Sequence, residues 1–400
     1  METLRTCSSQ PRPQGISVKK SRLATLTTVA LLGALGLSAC GSSDSGSASS
    51  TEASTTKATS TVSAAAPSPT TYKPTCPSGT INGGGSSAQG NAITQVINDY
   101  KKACDSKGKV NYSITGSGAG ISSFLGKQID WAGSDSALSA DKGEVSKATQ
   151  RCSANEAWHL PMAAGPIAVV TNIDGVKSLN LSSETLAGIF SGSITKWNDA
   201  AIKKENPSAK LPSAAISVFY RSDESGTTDN FTNYLNKAAG DVWTEAHSKQ
   251  WKGTGKGADK SAGVAQAVKS TKNSISYVEW SYAQKNNLNP VAIDNGNGPV
   301  KLTNESAGKA VSAAKTAGAG NNLQLEMQYK DTPAGVYPAV LVTYEIVCSK
   351  GLDAQKTALL KDFMSFYASG AEQQAITSAG YAPLPGEVAG KVIAAAQAIA

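Results

Sequence analysis

The segment from Arg221 to Phe231 constrains the fold of this chain more than any other. It reads Arg-Ser-Asp-Glu-Ser-Gly-Thr-Thr-Asp-Asn-Phe, follows a strand-like apolar run at 216–220, and leads into a pattern of apolar residues at helical spacing. A strand therefore passes through a loop of small residues into a helix. The free backbone N–H groups at that helix start, the hydroxyls of Ser225 and Thr227, and the guanidinium of Arg221 are together suited to bind an oxyanion.

Two further loops of this kind lie upstream, at Gly83–Ser87 and Gly116–Gly120, each between a strand-like run and a helical pattern. Either loop alone is also consistent with an ordinary turn and a serine N-cap. The second loop has a G-x-G core, but the later glycine and the ribose-binding acid of a dinucleotide site do not fit it. Since the chain has only 2 histidines, three such loops favour an anion-binding protein over an enzyme.

Asp135 ends another strand-like run and is followed by Ser-Ala-Leu. One interpretation is an ordinary helix cap, because Asp is common at that position. The other is a carboxylate inside the anion site, which suits monohydrogen phosphate because that anion has a proton to donate, whereas sulfate has none. A buried hydrogen bond of this type can reject the analogue that lacks it by roughly 10⁴-fold. Asp223 is expected to pair with Arg221 and hold its planar fork in place.

The N-terminus has the order of a secretory signal: Lys19, Lys20 and Arg22 precede an apolar run at 23–37, which ends in Leu-Ser-Ala-Cys40. That run is shorter than a membrane span of about 20 residues. Its end resembles the lipobox of bacterial lipoproteins, so residues 1–39 are predicted to be a signal peptide and Cys40 to be lipidated; a plain signal peptide is the alternative. Residues 40–72, rich in Ser, Thr and Ala, are predicted to be a disordered tether.

The composition excludes several classes of function. Beyond residue 39 the chain has 32 basic and 29 acidic residues, which gives no reason to expect nucleic acid as a partner. Few histidines, no C-x-x-C pair and no G-x-S-x-G motif argue against a metal site, a cofactor and a serine hydrolase. Four cysteines after Cys40 allow three disulfide connectivities; from the placement of the strands we expect Cys76–Cys104 and Cys152–Cys348.

Residues 78–135 alternate between strand and helix patterns, which indicates a mostly parallel sheet covered by helices. Two strongly apolar strands, 162–170 and 336–347, are expected to cross between two α/β lobes and form a two-strand hinge, with the ligand in the cleft. The predicted lobes are 73–165 with 330–400, and 166–329. The glycine-rich segment 253–261 lacks P-loop spacing and is expected to be a mobile loop at the cleft rim.

The sequence resembles the phosphate-binding lipoproteins of ABC-type phosphate importers, particularly their actinobacterial forms, over roughly residues 78–390. The most specific matches are at 110–118, 130–135 and 221–227, with supporting matches at 185–199, 275–279 and 380–385. The resemblance implies the two-lobed α/β fold of periplasmic binding proteins, also called the Venus-flytrap fold. It implies phosphate ligands at Ser86, the backbone of Ser87, Ser117, Asp135, Arg221, Ser225, Gly226 and Thr227.

The same resemblance implies a lipid-anchored monomer on the extracytoplasmic face of the cell membrane, which delivers inorganic phosphate to a membrane permease and is not an enzyme. One departure stands in the first loop, where many members read Gly-Ala-Thr-Phe-Pro and this chain has Gly-Gly-Ser86-Ser87-Ala. A receptor for another oxyanion, such as sulfate or molybdate, is an alternative that Asp135 disfavours. A secreted phosphoester hydrolase is a second alternative. The sequence disfavours it, because it has no evident metal cluster or activated nucleophile.

Overall fold

The computed structural model describes residues 70–400. The predicted signal peptide, the lipidated Cys40 and most of the predicted tether lie outside the described residues. The strands are β1 Gly79–Gly85, β2 Gly108–Ile114, β3 Trp131–Ser134, β4 Ala157–Asn172, β5 Asn180–Ser182, β6 Ser217–Arg221, β7 Lys256–Ala258, β8 Ser274–Glu279, β9 Asn289–Pro290, β10 Ala292–Asp294, β11 Pro299–Val300, β12 Lys315–Thr316, β13 Leu325–Glu326 and β14 Val340–Cys348. The helices are α1 Gly90–Ala103, α2 Ser117–Leu125, α3 Glu144–Arg151, α4 Ser183–Ser191, α5 Ala200–Glu205, α6 Gly226–Ala238, α7 Lys260–Ser270, α8 Trp280–Lys285, α9 Asn304–Ser312, α10 Ala354–Tyr367, α11 Gly370–Thr377 and α12 Gly386–Gln397.

The main sheet has the strand order β2-β1-β3-β14-β4-β8-β6-β7, and β9 pairs with β4 outside this path. The first three strands are parallel to one another, as the alternating pattern predicted, and β6 is parallel to both β7 and β8. The strands β14 and β4 run antiparallel to each other and to their outer neighbours. Two α/β halves therefore join at a central antiparallel pair.

The long strands β4 and β14 are the predicted crossing strands, and they pair from Val340↔Pro166 to Cys348↔Ala157. Both are almost wholly buried, which explains why they read as continuous apolar runs rather than as alternating ones. The second half of β4, from residue 167 to 172, pairs instead with β8. One strand thus belongs to the sheets of both halves.

Both strands of this pair contribute residues to two large hydrophobic clusters. The first contains Ile81, Trp131, Met162 and Ala163, with the apolar faces of α1, α10 and α12. The second begins at Ala164 on the same strand and contains the apolar residues of α4, α6 and α7. The change of cluster between residues 163 and 164 favours the predicted lobes, whose boundaries stay a prediction.

The disulfides join Cys76 to Cys104 and Cys152 to Cys348, the pairs expected from strand placement. The first fixes the chain ahead of β1 to the end of α1, and the second ties the end of α3 to the last residue of β14. No helix within residues 70–400 is long and apolar enough to cross a membrane.

The segment around the predicted end of the tether, residue 72, bonds to the last part of the chain. Tyr72 donates a hydrogen bond to Asp362 of α10 (2.7 Å), and Thr75 donates to the same carboxylate from its backbone N–H and its hydroxyl. Burial acts to raise the pKa of Asp362, but these bonds and one from Tyr100 outweigh it and lower that pKa. A short polar segment gives no sign in the sequence of a partner almost 300 residues away. The boundary at residue 72 stays a prediction.

Candidate anion-binding site

The three predicted loops meet at one place because each follows the carboxyl end of a strand and opens a helix. The strand β1 leads through Ser86 to α1, β2 leads through Gly116 to α2, and β6 leads through Ser225 to α6. Ser225 is the N-cap of α6, and its hydroxyl accepts a hydrogen bond from the N–H of Thr228 (3.1 Å). The segments that open α1, α2 and α6 thus lie close together, because Ser86 and Ser117 bond to Asp135 and Gly226 lies against it. Helix N-termini attract anions.

The predicted ligand residues are all deeply buried. Each of those with a side chain is at most 3% exposed: Ser86, Ser87, Ser117, Asp135, Arg221, Ser225 and Thr227. Gly226 lies so close to the first half of the protein that a Cβ atom there would be 2.6 Å from both the Asp135 Cβ and the Ser117 Oγ. Glycine is therefore required for α6 to approach Asp135.

Asp135 accepts hydrogen bonds from three hydroxyls. Ser86 and Thr343 donate to its Oδ1 (2.5 and 2.7 Å), and Ser117 donates to its Oδ2 (3.3 Å). Burial raises the pKa of Asp135 and prevails over these hydroxyls and Arg221, which act to lower it. A further hydrogen-bond donor, such as a protonated oxyanion, would stabilise the charged form of this buried carboxylate.

Arg221 supplies a buried guanidinium whose direction is fixed by Asp223. The Nε and Nη2 atoms of Arg221 donate to the two carboxylate oxygens at 2.7 and 2.5 Å. Burial acts to raise the pKa of Asp223, but this bidentate pair outweighs it and lowers that pKa. The remaining nitrogen, Nη1, lies 3.4 Å from the Thr227 Oγ1 and 3.3 Å from the Ser261 Oγ.

Contacts between the two halves surround the site. The N–H of Gly118 donates to the carbonyl of Glu224 (2.9 Å), and the amide of Asn230 donates to the carbonyl of Asp135 (2.6 Å). Farther out, the ammonium of Lys249 lies 3.3 Å from the carboxylate of Glu144. The loops that carry the candidate ligands are therefore held together by bonds independent of any ligand.

Two members of the site were missed by the sequence analysis. Thr343 lies within the apolar strand β14, next to a register shift between Thr343 and Tyr344, and a lone threonine there resembles an ordinary β residue. Ser261 lies in the segment 253–261, which was expected to be a mobile loop. That expectation was wrong: residues 256–258 form β7, which pairs in parallel with β6, and α7 begins at Lys260.

Two buried glutamates stand near Asp135, whose charge adds to the effect of burial on their pKa values. Burial raises the pKa of Glu279 to about 8, although hydrogen bonds from Ser281 act to lower it. Burial likewise raises the pKa of Glu345 on β14 to about 8. Both are thus largely neutral at pH 7. Within residues 70–400 no group of three His, Cys, Asp or Glu side chains is placed to hold a metal ion.

Comparison with known proteins places this geometry in a family. Residues 50–371 match the family model of a PBP superfamily domain. The chain is 44% identical over 326 residues to the phosphate-binding protein PstS 3 of Mycobacterium leprae. This alignment covers 80% of this chain and 87% of that protein. It is also 35% identical over 312 residues to the phosphate-binding protein PstS of Xylella fastidiosa, covering 76% of this chain and 81% of that protein.

The chain belongs to the PstS family of phosphate-binding proteins. Solved structures agree on the fold. A periplasmic phosphate-binding protein named PfluDING, bound with phosphate, has a TM-score of 0.65 at 24% identity and covers 79% of this chain and 93% of its own. The ancestral soluble variant of the human phosphate-binding protein has a TM-score of 0.62 at 23% identity, and the match again covers 79% of this chain and 93% of that chain. The predicted fold class, a two-lobed α/β periplasmic binding protein, is confirmed for this PstS family member.

Proposed function

We propose that this chain is the receptor of an ABC-type phosphate importer, which captures inorganic phosphate between its two lobes and passes it to the membrane permease. The eight predicted ligand residues form the cradle: Ser86, Ser87, Ser117, Asp135, Arg221, Ser225, Gly226 and Thr227. The proposed lobes are 73–165 with 330–400, and 166–329. The observation that carries the proposal is a buried, hydroxyl-bonded Asp135 beside a buried Arg221.

These two charges have different tasks. Arg221, held by Asp223, attracts the anion, and the N-termini of α2 and α6 add donors without adding a second full charge. Asp135 accepts a hydrogen bond from the O–H group that monohydrogen phosphate has and sulfate lacks. Charge-assisted hydrogen bonds contribute roughly 1.5–3 kcal/mol each, so a cradle of this size is sufficient for micromolar or tighter binding after the costs of closure.

Calorimetric titration of the mature protein, stripped of bound anion, tests this proposal. We expect one phosphate per chain and no binding heat with sulfate. Equal binding of both anions would instead indicate a general oxyanion receptor. Failure to bind either would refute the proposed function.

The proposed location is the extracytoplasmic face of the cell membrane, with the chain a monomer anchored through lipid on Cys40. This follows from the order of charged, apolar and small residues ahead of Cys40. Replacing Cys40 by alanine should release the protein from the membrane fraction, and a variant that stays there would contradict the anchor. The proposal also implies no turnover of a chromogenic phosphate ester by the purified protein.

A further inference from the structure

Two serines that are far apart in sequence meet beside the guanidinium of Arg221. Ser87 follows β1, and Ser261 lies in the first turn of α7. Their hydroxyl oxygens are 2.9 Å apart, and the backbone N–H of Ser261 donates to the Ser87 Oγ at 3.2 Å. Both side chains are buried, with 2% and 0% exposure. In the proposed arrangement they belong to opposite lobes, so the pair spans the cleft.

The N-terminus of α7 is bonded by residues outside its own helix. Its N-cap residue, Asp259, makes no side-chain capping bond. The N–H of Lys260 donates instead to the Oδ1 of Asp223 (3.1 Å), and that of Ser261 donates to Ser87. Since free N–H groups at a helix start need partners, the start of α7 is held in the anion site by these bonds.

The donors and acceptors in this group leave one hydroxyl hydrogen of the pair for a further acceptor. Arg221 has no acceptor atom, so its Nη1 donates to the Ser261 Oγ. The two hydroxyls share one hydrogen bond, in which either oxygen can be the donor, so only one of their two hydrogens is used within the pair. When Ser261 donates, the Ser87 Oγ accepts both the hydroxyl and the backbone N–H of Ser261, which occupies its two lone pairs. In that arrangement the Ser87 hydroxyl hydrogen is the one left for a further acceptor.

We propose that the side-chain hydroxyl of Ser87 is a further donor to the bound anion, and that Ser261 is the positioning residue that directs it there. The family resemblance implies only the backbone of Ser87 as a ligand and does not include Ser261. This inference rests on the proposed phosphate function, since phosphate provides the acceptor oxygen. It also gives the serine at position 87 a chemical role that a phenylalanine could not fill.

Phosphate binding by four variants tests the pair: Ser87→Ala, Ser261→Ala, the double variant, and the exposed Ser122→Ala of α2 as the matched control. We expect each single variant at the pair to raise the phosphate Kd about tenfold or more, the effect of one hydrogen bond to a charged group. The double variant should raise the Kd no more than the weaker-binding single variant does, because the two side chains act as one unit. Ser122→Ala should bind as the wild type does.

The unfolding temperature of the phosphate-free protein separates this role from a merely structural one. It should stay within a few degrees of the wild type in all variants, while the phosphate dissociation rate rises in the pair variants. Wild-type affinity in either single variant would overturn the inference, and so would a double variant whose loss is the product of the single losses. Absence of phosphate binding in the wild-type protein would refute the proposed function instead.

Discussion

Replacing Asp135 by asparagine changes one buried oxygen of the site into an amide nitrogen. The Oδ1 atom takes the two shorter hydroxyl bonds, from Ser86 and Thr343, whereas Oδ2 has the longer bond from Ser117 at 3.3 Å. The asparagine carbonyl is expected to keep the two shorter bonds, because the serine and threonine hydroxyls are donors. The amide N–H groups then replace the acceptor at Oδ2, and the proton of phosphate loses its partner.

The expected size of this effect follows from the type of bond that is lost. A hydrogen bond to a charged group contributes roughly 1.5–3 kcal/mol, so the phosphate Kd should rise about 10- to 150-fold. Sulfate should bind more tightly than before, because an N–H donor replaces a repelling lone pair. The preference for phosphate over sulfate should accordingly fall by about 100-fold or more. Folding should change little, because burial already raises the pKa of Asp135 and disfavours its charge.

Calorimetric titration of the variant with phosphate and with sulfate measures both quantities. Asp362→Asn is the matched control, because Asp362 is also buried and also accepts several hydrogen bonds, including one from Tyr100 at 2.6 Å. The control should lower the unfolding temperature and leave the anion preference unchanged. An Asp135→Asn protein that prefers phosphate as strongly as the wild type would refute the proposed role of this carboxylate.

Two further predictions concern stability. Burial raises the pKa of Glu345 from 4.5 to about 8, although the neighbouring Gln89 and Trp131 side chains act to lower it. This group's stabilisation is therefore present below pH 4.5 and is lost as the pH rises to about 8. Glu345→Gln should remove that loss and make the protein more stable than the wild type at pH 8, by up to about 4 kcal/mol in urea unfolding. A variant with the same pH profile as the wild type would contradict this. The disulfides Cys76–Cys104 and Cys152–Cys348 close loops of 28 and 196 residues, so replacing each pair by serines should cost about 3.5 and about 5 kcal/mol respectively. If removal of either disulfide costs the same stability, the length of the closed loop does not determine how much each disulfide contributes.

Much of the candidate site was accessible from the sequence because its residues cluster at strand ends. Arg221, Asp223 and Ser225 fall within five consecutive positions, so one local pattern carries a cation, its partner and a helix cap. Asp135 was identifiable since it directly follows an apolar strand. In such cases the period of the apolar residues determines where the loop lies, and the loop's residue types indicate its chemistry.

The residues that were missed depend on pairing between distant segments. Thr343 reaches Asp135 because β14 runs antiparallel beside β3 and pairs Tyr344 with Ser134, so that Thr343 and Asp135 are the next residues along the two strands. Ser261 reaches the site because β7 aligns with β6 and aims the start of α7 at Arg221. Neither strand pairing produces a local pattern in the sequence. A glycine-rich segment such as 253–261 is equally consistent with a loose loop.

The central strands have a consequence for how this protein melts. β4 contributes Ala163 to one hydrophobic cluster and Ala164 to the other, and β14 contributes Val347 to the first and Leu341 to the second. Neither half can lose its core without pulling apart a strand that the other half needs. Unfolding should therefore be cooperative across both lobes, and any ligand of the cleft should stabilise the whole molecule by mass action.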